Sequence, residues 1–270
     1  MSWIRAQVRK PKNNDRITFS TNGAGFASNF NNFLYNYLHA KKNRNPLHVY
    51  DRNNPISPNY RMLEESFLAP KDLIYIQDPP TEKINLPMIR VMTATMSDEF
   101  LQTQAKVLFK LKPQMESQIQ AILSKYAFPA FDLGVHIRSG DKIRTGEMPL
   151  IPMELYVKEI NATNAKTVFV MTDNSELLEQ IKGSLKPSIQ VYSLTQTSPC
   201  KAGHEQGVFN SYPNDVKLDA YIHFLAELYV MQQIPSIICT FSSNIGRFLY
   251  LTTGVNATFK SLDMKKFTPL

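Results

Sequence analysis

The spacing of apolar residues divides the first half of the chain into short strands and a helix. A strand pattern at 16–21 precedes a helical pattern at 27–41, and a second strand pattern follows at 47–51. The apolar positions of the helical stretch share one helix face, at i, i+3, i+4, i+7, i+8 spacing. They are Phe30, Phe33, Leu34, Tyr37 and Leu38. Strands that alternate with helices are typical of a parallel sheet, so this pattern predicts an α/β fold.

The middle of the chain has a less regular pattern. Short strand patterns occur at 73–77 and 88–92, whereas residues 52–70 are rich in Asn and Pro and predict irregular structure. A long helical pattern covers residues 97–126. Pro113 interrupts it, and we expect two helices because proline lacks the N–H that a helix interior requires.

After residue 127 the alternation of strands and helices becomes regular. The predicted strands cover 131–137, 167–171, 189–193 and 236–241, and helical patterns separate them. We therefore predict a doubly wound, parallel sheet in this half. Taken together, the two halves predict two Rossmann-like domains, residues 1–127 and 128–270, with a ligand cleft between them.

The composition is that of a globular protein. Of the 270 residues, 43% are apolar and 20% are charged. No apolar run approaches the roughly 20 residues of a membrane helix, and the N-terminus lacks the apolar core of a signal peptide. These features predict a cytoplasmic protein, unless an anchor lies outside this chain. The two cysteines, Cys200 and Cys239, form neither a disulfide framework nor a zinc motif, and Cys239 is expected in the core.

The net charge of +7 favours an acidic partner. Lysines and arginines are spread along the chain without a basic helix or an aromatic-basic motif, which argues against nucleic acid. A small phosphorylated ligand fits the charge equally well.

Polar residues concentrate where the predicted strands of the second half end. The loops at 138–148, 172–175, 194–213 and 242–244 each follow a strand, and in a parallel sheet they open on one edge. The polar residues that they offer are Arg138, Asp141, Lys142, Glu147, Asp173, Asn174, Ser242, Ser243 and Asn244. The sequence therefore predicts a ligand site at this edge.

These residue types suit an anionic ligand. Arg138 has a planar guanidinium that matches phosphate oxygens. Ser242 and Ser243 begin a predicted helix, where they either cap the helix or contact a diphosphate. Glu147 would serve as a general base if it were partly desolvated. His223 lies within a helical pattern, and we expect a structural role for it.

Common cofactor motifs are absent from the sequence. It contains no Gly-x-Gly-x-x-Gly, no Walker lysine loop and no His-Glu-x-x-His. No Asp-x-Asp pair suggests a metal that would hold a diphosphate, so we expect neither a metal nor a cofactor.

Two motifs make the sequence similar to a known group of enzymes. Residues 134–142, Gly-Val-His-Ile-Arg-Ser-Gly-Asp-Lys, resemble the His-x-Arg-x-x-Asp donor motif of α1,6-, α1,2- and protein O-fucosyltransferases. Residues 239–244, Cys-Thr-Phe-Ser-Ser-Asn, with Arg247, resemble the second donor motif of the α1,6 (core) fucosyltransferase and NodZ group. Residues 168–174 and 261–263 are also similar to segments of this family.

The resemblance, strong over about 104–263, implies a GT-B fold and an inverting glycosyltransferase. Such an enzyme moves a sugar, here fucose, from a sugar nucleotide to a hydroxyl of an oligosaccharide or glycoprotein glycan, without a metal. The donor-binding residues implied by position are His136, Arg138, Asp141, Asp173, Glu227, Ser242, Ser243 and Asn244.

Individual roles also follow from the resemblance. Arg138 would bind the β-phosphate, and Glu227 would read the base as an acidic residue of the core enzymes reads guanine. Glu147 would accept the acceptor proton, while Arg138 and Lys142 stabilise the departing diphosphate. His136 would contact the base. On the acceptor side we expect Asn22, Gly23, Gly25 and Asn29.

Several positions depart from the family pattern. Ser139 stands where the core enzymes have a second arginine, Glu227 replaces an aspartate, and Asn174 replaces an acid. Glu147 arrives one residue late. The sequence therefore leaves open a UDP-sugar donor such as UDP-xylose, or a catalytically inactive sugar-nucleotide or glycan-binding module. Such a compact chain fits a bacterial or viral protein.

Overall fold

A computed structural model describes residues 17–80, 95–195, 203–254, 257–265 and 267. These residues form two parallel sheets surrounded by helices, which confirms the predicted α/β fold. Within them, no helix combines the length and the apolar character needed to cross a membrane.

The N-terminal sheet contains three parallel strands in the order β1 (Ile17–Ser20), β2 (Leu47–Tyr50) and β3 (Leu73–Tyr75). Helix α1 (Phe26–Lys42) connects β1 to β2. All five residues of its predicted apolar face are buried, so the period of the sequence identified the correct face.

A short helix, α2 (Met62–Ser66), forms in the region predicted to be irregular. The carboxylate of Asp51 accepts hydrogen bonds from the backbone N–H groups of Leu63 (2.5 Å) and Glu64 (3.1 Å). Because this cap lies 11 residues before the helix, the local sequence pattern does not reveal it.

The C-terminal sheet has five parallel strands. They are β4 (Leu133–Ile137), β5 (Thr167–Thr172), β6 (Gln190–Tyr192), β7 (Ser236–Cys239) and β8 (Thr258–Ser261). Their order is β6-β5-β4-β7-β8, so the chain moves outward from β4 in one direction and then in the other. The crevice between the carboxyl ends of β4 and β7 is the switch point at which such sheets bind ligands.

Strand β8 was not predicted, because it is an edge strand whose residues alternate between exposed and half-buried. The predicted strand at 88–92 and Cys200 lie outside the described residues. Cys239, as predicted, is buried.

The remaining helices are α3 (Asp98–Leu108), α4 (Pro113–Leu123), α5 (Asp141–Arg144), α6 (Met153–Asn161), α7 (Ser175–Ser184), α8 (Gln206–Asn210), α9 (Asn214–Met231) and α10 (Asn244–Thr253). They follow the predicted alternation, except that two short ones, α5 and α8, form within the predicted loops 138–148 and 194–213. The division at Pro113 is confirmed, with the proline as the first residue of α4.

One apolar core includes residues from both halves of the chain. The Phe248 ring of α10 lies 5.2 Å from the Phe30 ring and 4.9 Å from the Phe109 ring, measured between centroids. Asn31 of α1 also donates to the backbone carbonyl of Asn244 at 2.9 Å. The boundary at 127/128 stays a prediction.

Candidate functional site

A cavity of about 450 Å³ lies at the carboxyl ends of β4 and β5, beside the N-termini of α1 and α10. Ten predicted site residues line it, namely Gly25, His136, Arg138, Asp141, Lys142, Glu147, Asp173, Glu227, Ser243 and Asn244. The loops that follow separate strands therefore supply one cavity, as the parallel sheet predicted.

Arg138 is held at the cavity wall by two carboxylates. Its guanidinium pairs with Asp173 and donates to Oδ1 of Asp141 at 2.7 Å, and its side chain is only 10% exposed. Asp173 also accepts from the backbone N–H of Ser139 at 2.8 Å and of His204 at 3.1 Å. Burial raises the pKa of the Asp173 carboxyl, although Arg138 opposes the shift. Two aspartates thus fix the orientation of the guanidinium.

Hydrogen bonds hold residues 204–206 against the loop that follows Arg138. Asp141 accepts from the backbone N–H of Gln206 at 3.0 Å and donates its own N–H to the carbonyl of His204 at 3.0 Å. Burial tends to raise the pKa of the Asp141 carboxyl, but the Gln206 N–H and Arg138 reverse the shift and lower it. Gly140 and Gly203 pack backbone to backbone at this junction, which leaves no room for a side chain.

Replacing Gly140 by alanine is expected to weaken the binding of a ligand in this cavity about tenfold or more. Gly140 has φ of +82°, and a β-carbon there would lie 2.4 Å from the carbonyl oxygen of His204. The segment that begins at Gly203 would have to move away from the cavity. Gly146 is a matched control, because its φ is +74° but its added β-carbon would have no neighbour within 4 Å. Both glycines have positive φ, and Gly140, with ψ of −146°, lies in a region open essentially to glycine alone, at a cost of about 1–3 kcal/mol for other residues. Equal affinities of the two variants for the sugar nucleotide expected from the sequence, measured by calorimetry beside thermal unfolding, would contradict the prediction.

Glu147 does not have the environment expected for a desolvated base. Its carboxylate pairs with the ammonium of Lys142 at 2.8 Å and is 59% exposed. The Lys142 hydrogen bond and charge lower the pKa of the Glu147 carboxyl. The condition of partial desolvation, on which its role as a general base was predicted, is therefore not met in this structure. Both residues line the cavity, and the role of Glu147 as a base stays a prediction.

His136 is buried and Glu227 is half-buried at the cavity wall, and the surroundings of both shift their pKa values towards the neutral form. Burial, with a smaller effect of Arg138, lowers the pKa of the His136 ring to about 3. Its Nδ1 atom has no hydrogen-bond partner among the described residues. Burial raises the pKa of Glu227 to about 8, although the Thr195 hydroxyl donates to it at 3.4 Å. The part of the cavity around Glu227 therefore offers polar groups whose neutral forms are favoured.

The N-terminus of α10 also faces the cavity. Ser243 is the N-cap of this helix, accepting from the backbone N–H of Ile245 at 3.3 Å, and it lines the cavity as well. Asp263 accepts from the N–H groups of Phe241 (2.8 Å) and Ser242 (3.0 Å) and so holds the loop before α10. Ser242 itself lines a second pocket that adjoins the cavity.

On the opposite side, Gly25 brings the first turn of α1 to the cavity. The other predicted acceptor residues, Asn22, Gly23 and Asn29, are not among its lining residues. Asn29 is buried, and its amide bonds to the backbone N–H of Asn22 at 2.9 Å and the carbonyl of Ala24 at 3.0 Å. Asn29 therefore shapes the turn before α1.

His204 and His223 also line the cavity, and neither was predicted from the sequence to do so. His223 lies in α9, as predicted, but its ring lines the cavity four residues before Glu227 on the same helix face. Its Nδ1 atom is 3.0 Å from the backbone carbonyl of Asp219, which only accepts. Nδ1 therefore carries a proton. The one-turn spacing from Glu227 was the available signal.

Within the described ranges, no three His, Cys, Asp or Glu side chains come together as a metal site.

No protein-family model matches the chain. Solved structures of NodZ match it over most of its length. NodZ alpha-1,6-fucosyltransferase co-crystallized with GDP has a TM-score of 0.55 and 13% identity, over 87% of this chain and 92% of that chain. The same enzyme soaked with GDP-fucose gives 0.54 and 14%, over 88% and 93%. Fucosyltransferase NodZ from Bradyrhizobium gives 0.54 and 13%, over 87% and 92%. The resemblance noted in the sequence is thus confirmed at the level of the fold, which this chain shares with NodZ along most of both chains.

Proposed function

We propose that the protein is a metal-independent, inverting glycosyltransferase that moves fucose from GDP-fucose to a hydroxyl of a glycan. The observation that carries this proposal is the convergence of Arg138 and the N-termini of α1 and α10 on one cavity. It occurs in a fold shared with NodZ, which has been crystallized with GDP. Residues 1–127 would supply the acceptor side, and residues 128–270 the donor side.

The diphosphate would lie between the two helix N-termini. Helix α1 has 17 residues and α10 has 10, and each leaves backbone N–H groups and a positive dipole end at the cavity. Gly25 and Ser243 at these ends would allow close approach of phosphate oxygens, with Arg138 as the fixed cation. Asp141 and Asp173 would act mainly by holding Arg138.

The nucleobase would occupy the part of the cavity around Glu227. Glu227 lies there with apolar neighbours that include Met171, Leu194 and Phe224. A carboxylate matches the two donors that guanine presents at N1 and N2. His136 would border the same region with a neutral ring, which avoids placing a second buried cation beside Arg138.

The transfer would be an in-line displacement. An acceptor hydroxyl attacks the anomeric carbon, the bond from that carbon to the β-phosphate oxygen breaks, and the hydroxyl proton moves to Glu147. Protonation removes the charge that holds Lys142, whose ammonium would then be released to stabilise the leaving diphosphate with Arg138. The existing ion pair would thus couple the base to the leaving group.

A thermal-shift screen with GDP, UDP, GDP-fucose and UDP-xylose tests the proposal. A ligand that binds only the native protein adds about 2.7 kcal/mol to stability at 100 times its Kd. Shifts with the guanine nucleotides alone would support the proposed donor, whereas shifts with the uracil nucleotides alone would overturn it in favour of a donor such as UDP-xylose. The absence of any shift would overturn glycosyl transfer. Release of GDP from GDP-fucose would exclude an inactive binding module.

A further inference from the structure

A second pocket of about 270 Å³ adjoins the cavity in which the nucleotide is proposed to bind. The two share the residues Ser28, Lys142, Glu147 and Asn244, so the Lys142–Glu147 pair stands at their common wall. The other walls of this pocket are Asn31, Asn32, Tyr35, Met148, Ser242 and Arg247. We call it the polar pocket.

The walls of the polar pocket suit a ligand that carries hydroxyl groups. Amides, hydroxyls and a guanidinium dominate them, and they both donate and accept hydrogen bonds. Arg247 is 4% exposed and donates to Oδ1 of Asn244 at 3.1 Å, which fixes its position.

Asn31 offers a specific acceptor in this pocket. The residue is 4% exposed, and its amide nitrogen is engaged by the Asn244 carbonyl. Its Oδ1 atom is buried without a hydrogen-bond partner among the described residues. A buried polar atom without a partner is unfavourable, and a ligand hydroxyl that donates to Oδ1 would satisfy it.

The volume of the polar pocket suits a small ligand, about the size of one sugar ring. At about 270 Å³ it is below the roughly 300–1,000 Å³ of pockets that hold drug-sized molecules. A peptide side chain would find little apolar surface there, since Met148 and Tyr35 are the main carbon-rich residues. A single pyranose ring combines the size with the hydroxyl groups.

We propose that the polar pocket binds the acceptor sugar, an inference that rests on the proposed transfer reaction. A sugar there would present a hydroxyl to Glu147 from one side of the shared wall, while the donor lies on the other. The acceptor would then contact Asn31, Asn32 and Tyr35 along α1. These residues lie from about half a turn to under two turns of α1 beyond Asn29, the last acceptor-side residue that the sequence suggested.

The test uses Asn32→Trp, because Asn32 is half-buried on α1 and an indole there would fill the polar pocket. Lys42→Trp is the matched control, since Lys42 is exposed on the same helix and lines neither pocket. Binding of methyl glycosides of glucose, galactose, N-acetylglucosamine and glucuronic acid is measured by saturation-transfer NMR, with and without GDP. We expect at least one glycoside to bind the wild type and Lys42→Trp, and to bind Asn32→Trp at least tenfold more weakly.

GDP affinity, measured in the same samples, separates this inference from the proposed function. Equal GDP affinity in all three proteins is expected. If no glycoside binds the wild type, or if Asn32→Trp binds it as well as the control does, the polar pocket is not the acceptor subsite. If Asn32→Trp does not fold, the smaller Asn32→Leu takes its place with the same criteria. Failure of the wild type to bind GDP would instead overturn the proposed function.

Discussion

Replacing Arg138 by alanine is expected to reduce sugar transfer by about 10³-fold or more. Removing a single group that stabilises developing charge costs about 10²–10³ in rate. Here the substitution also leaves Asp141 and Asp173 without the cation that orients them. The measurement is the rate of GDP release from GDP-fucose in the presence of an accepted glycan.

Arg144→Ala is the control for this prediction. Arg144 lies six residues away, pairs with Glu205 at 2.5 Å and is 66% exposed, so its loss should change the rate by less than about twofold. Loss of one partner of a buried ion pair can destabilise a protein by about 3–5 kcal/mol, and thermal unfolding must therefore accompany the assay. Arg138→Lys preserves the positive charge but removes the planar guanidinium, which can donate two parallel hydrogen bonds to phosphate oxygens. Near wild-type transfer by Arg138→Ala would show that the motif does not hold the diphosphate.

Binding of GDP is expected to strengthen by nearly tenfold from pH 6 to pH 7 and by about fivefold from pH 7 to pH 8. Burial raises the pKa of Glu227 to about 8, so the free protein carries a protonated carboxyl below that pH. Guanine donates two N–H groups and requires the ionised form, so binding releases one proton and its affinity increases with pH. Calorimetry in two buffers of different ionisation enthalpy measures the proton directly.

Glu227→Gln should abolish this pH dependence and weaken GDP binding, because one acceptor oxygen becomes a donor that faces guanine N2. Glu116→Gln is the control, since Glu116 is exposed on α4 and distant in sequence from the cavity loops. The same pKa predicts a stability effect. A carboxyl whose pKa is raised on folding stabilises the native state fully below its unfolded value of 4.5, and this contribution is lost as pH rises through about 8. GDP binding that is independent of pH in the wild type would contradict the assignment of Glu227.

The sequence predicted the location of the cavity better than its electrostatics. Arg138, Asp173 and Ser243 follow three different strands, and parallel strands present their carboxyl ends at one edge. That inference needs only the order of elements. By contrast, the ion pair of Glu147 with Lys142 and the clamp of two aspartates on Arg138 depend on side-chain directions that an alternation pattern does not contain.

Errors of the fold prediction have the same origin. Helix α2 depends on a cap from Asp51, and β8 depends on pairing with β7 at the sheet edge. Neither contact has a local signal in the residues that form the element.

The sequence by itself determined the α/β architecture, the apolar face of α1 and the residues that reach the edge of the sheet. Burial of one face imposes a period that can be read along the chain. Only the tertiary structure decided which polar groups are desolvated, which charges are paired, and that His204 and His223 line a cavity with a polar pocket beside it. The reason is that pKa values, ion pairs and cavities depend on distances between residues far apart in the chain, and those distances exist only once the helices and sheets have packed.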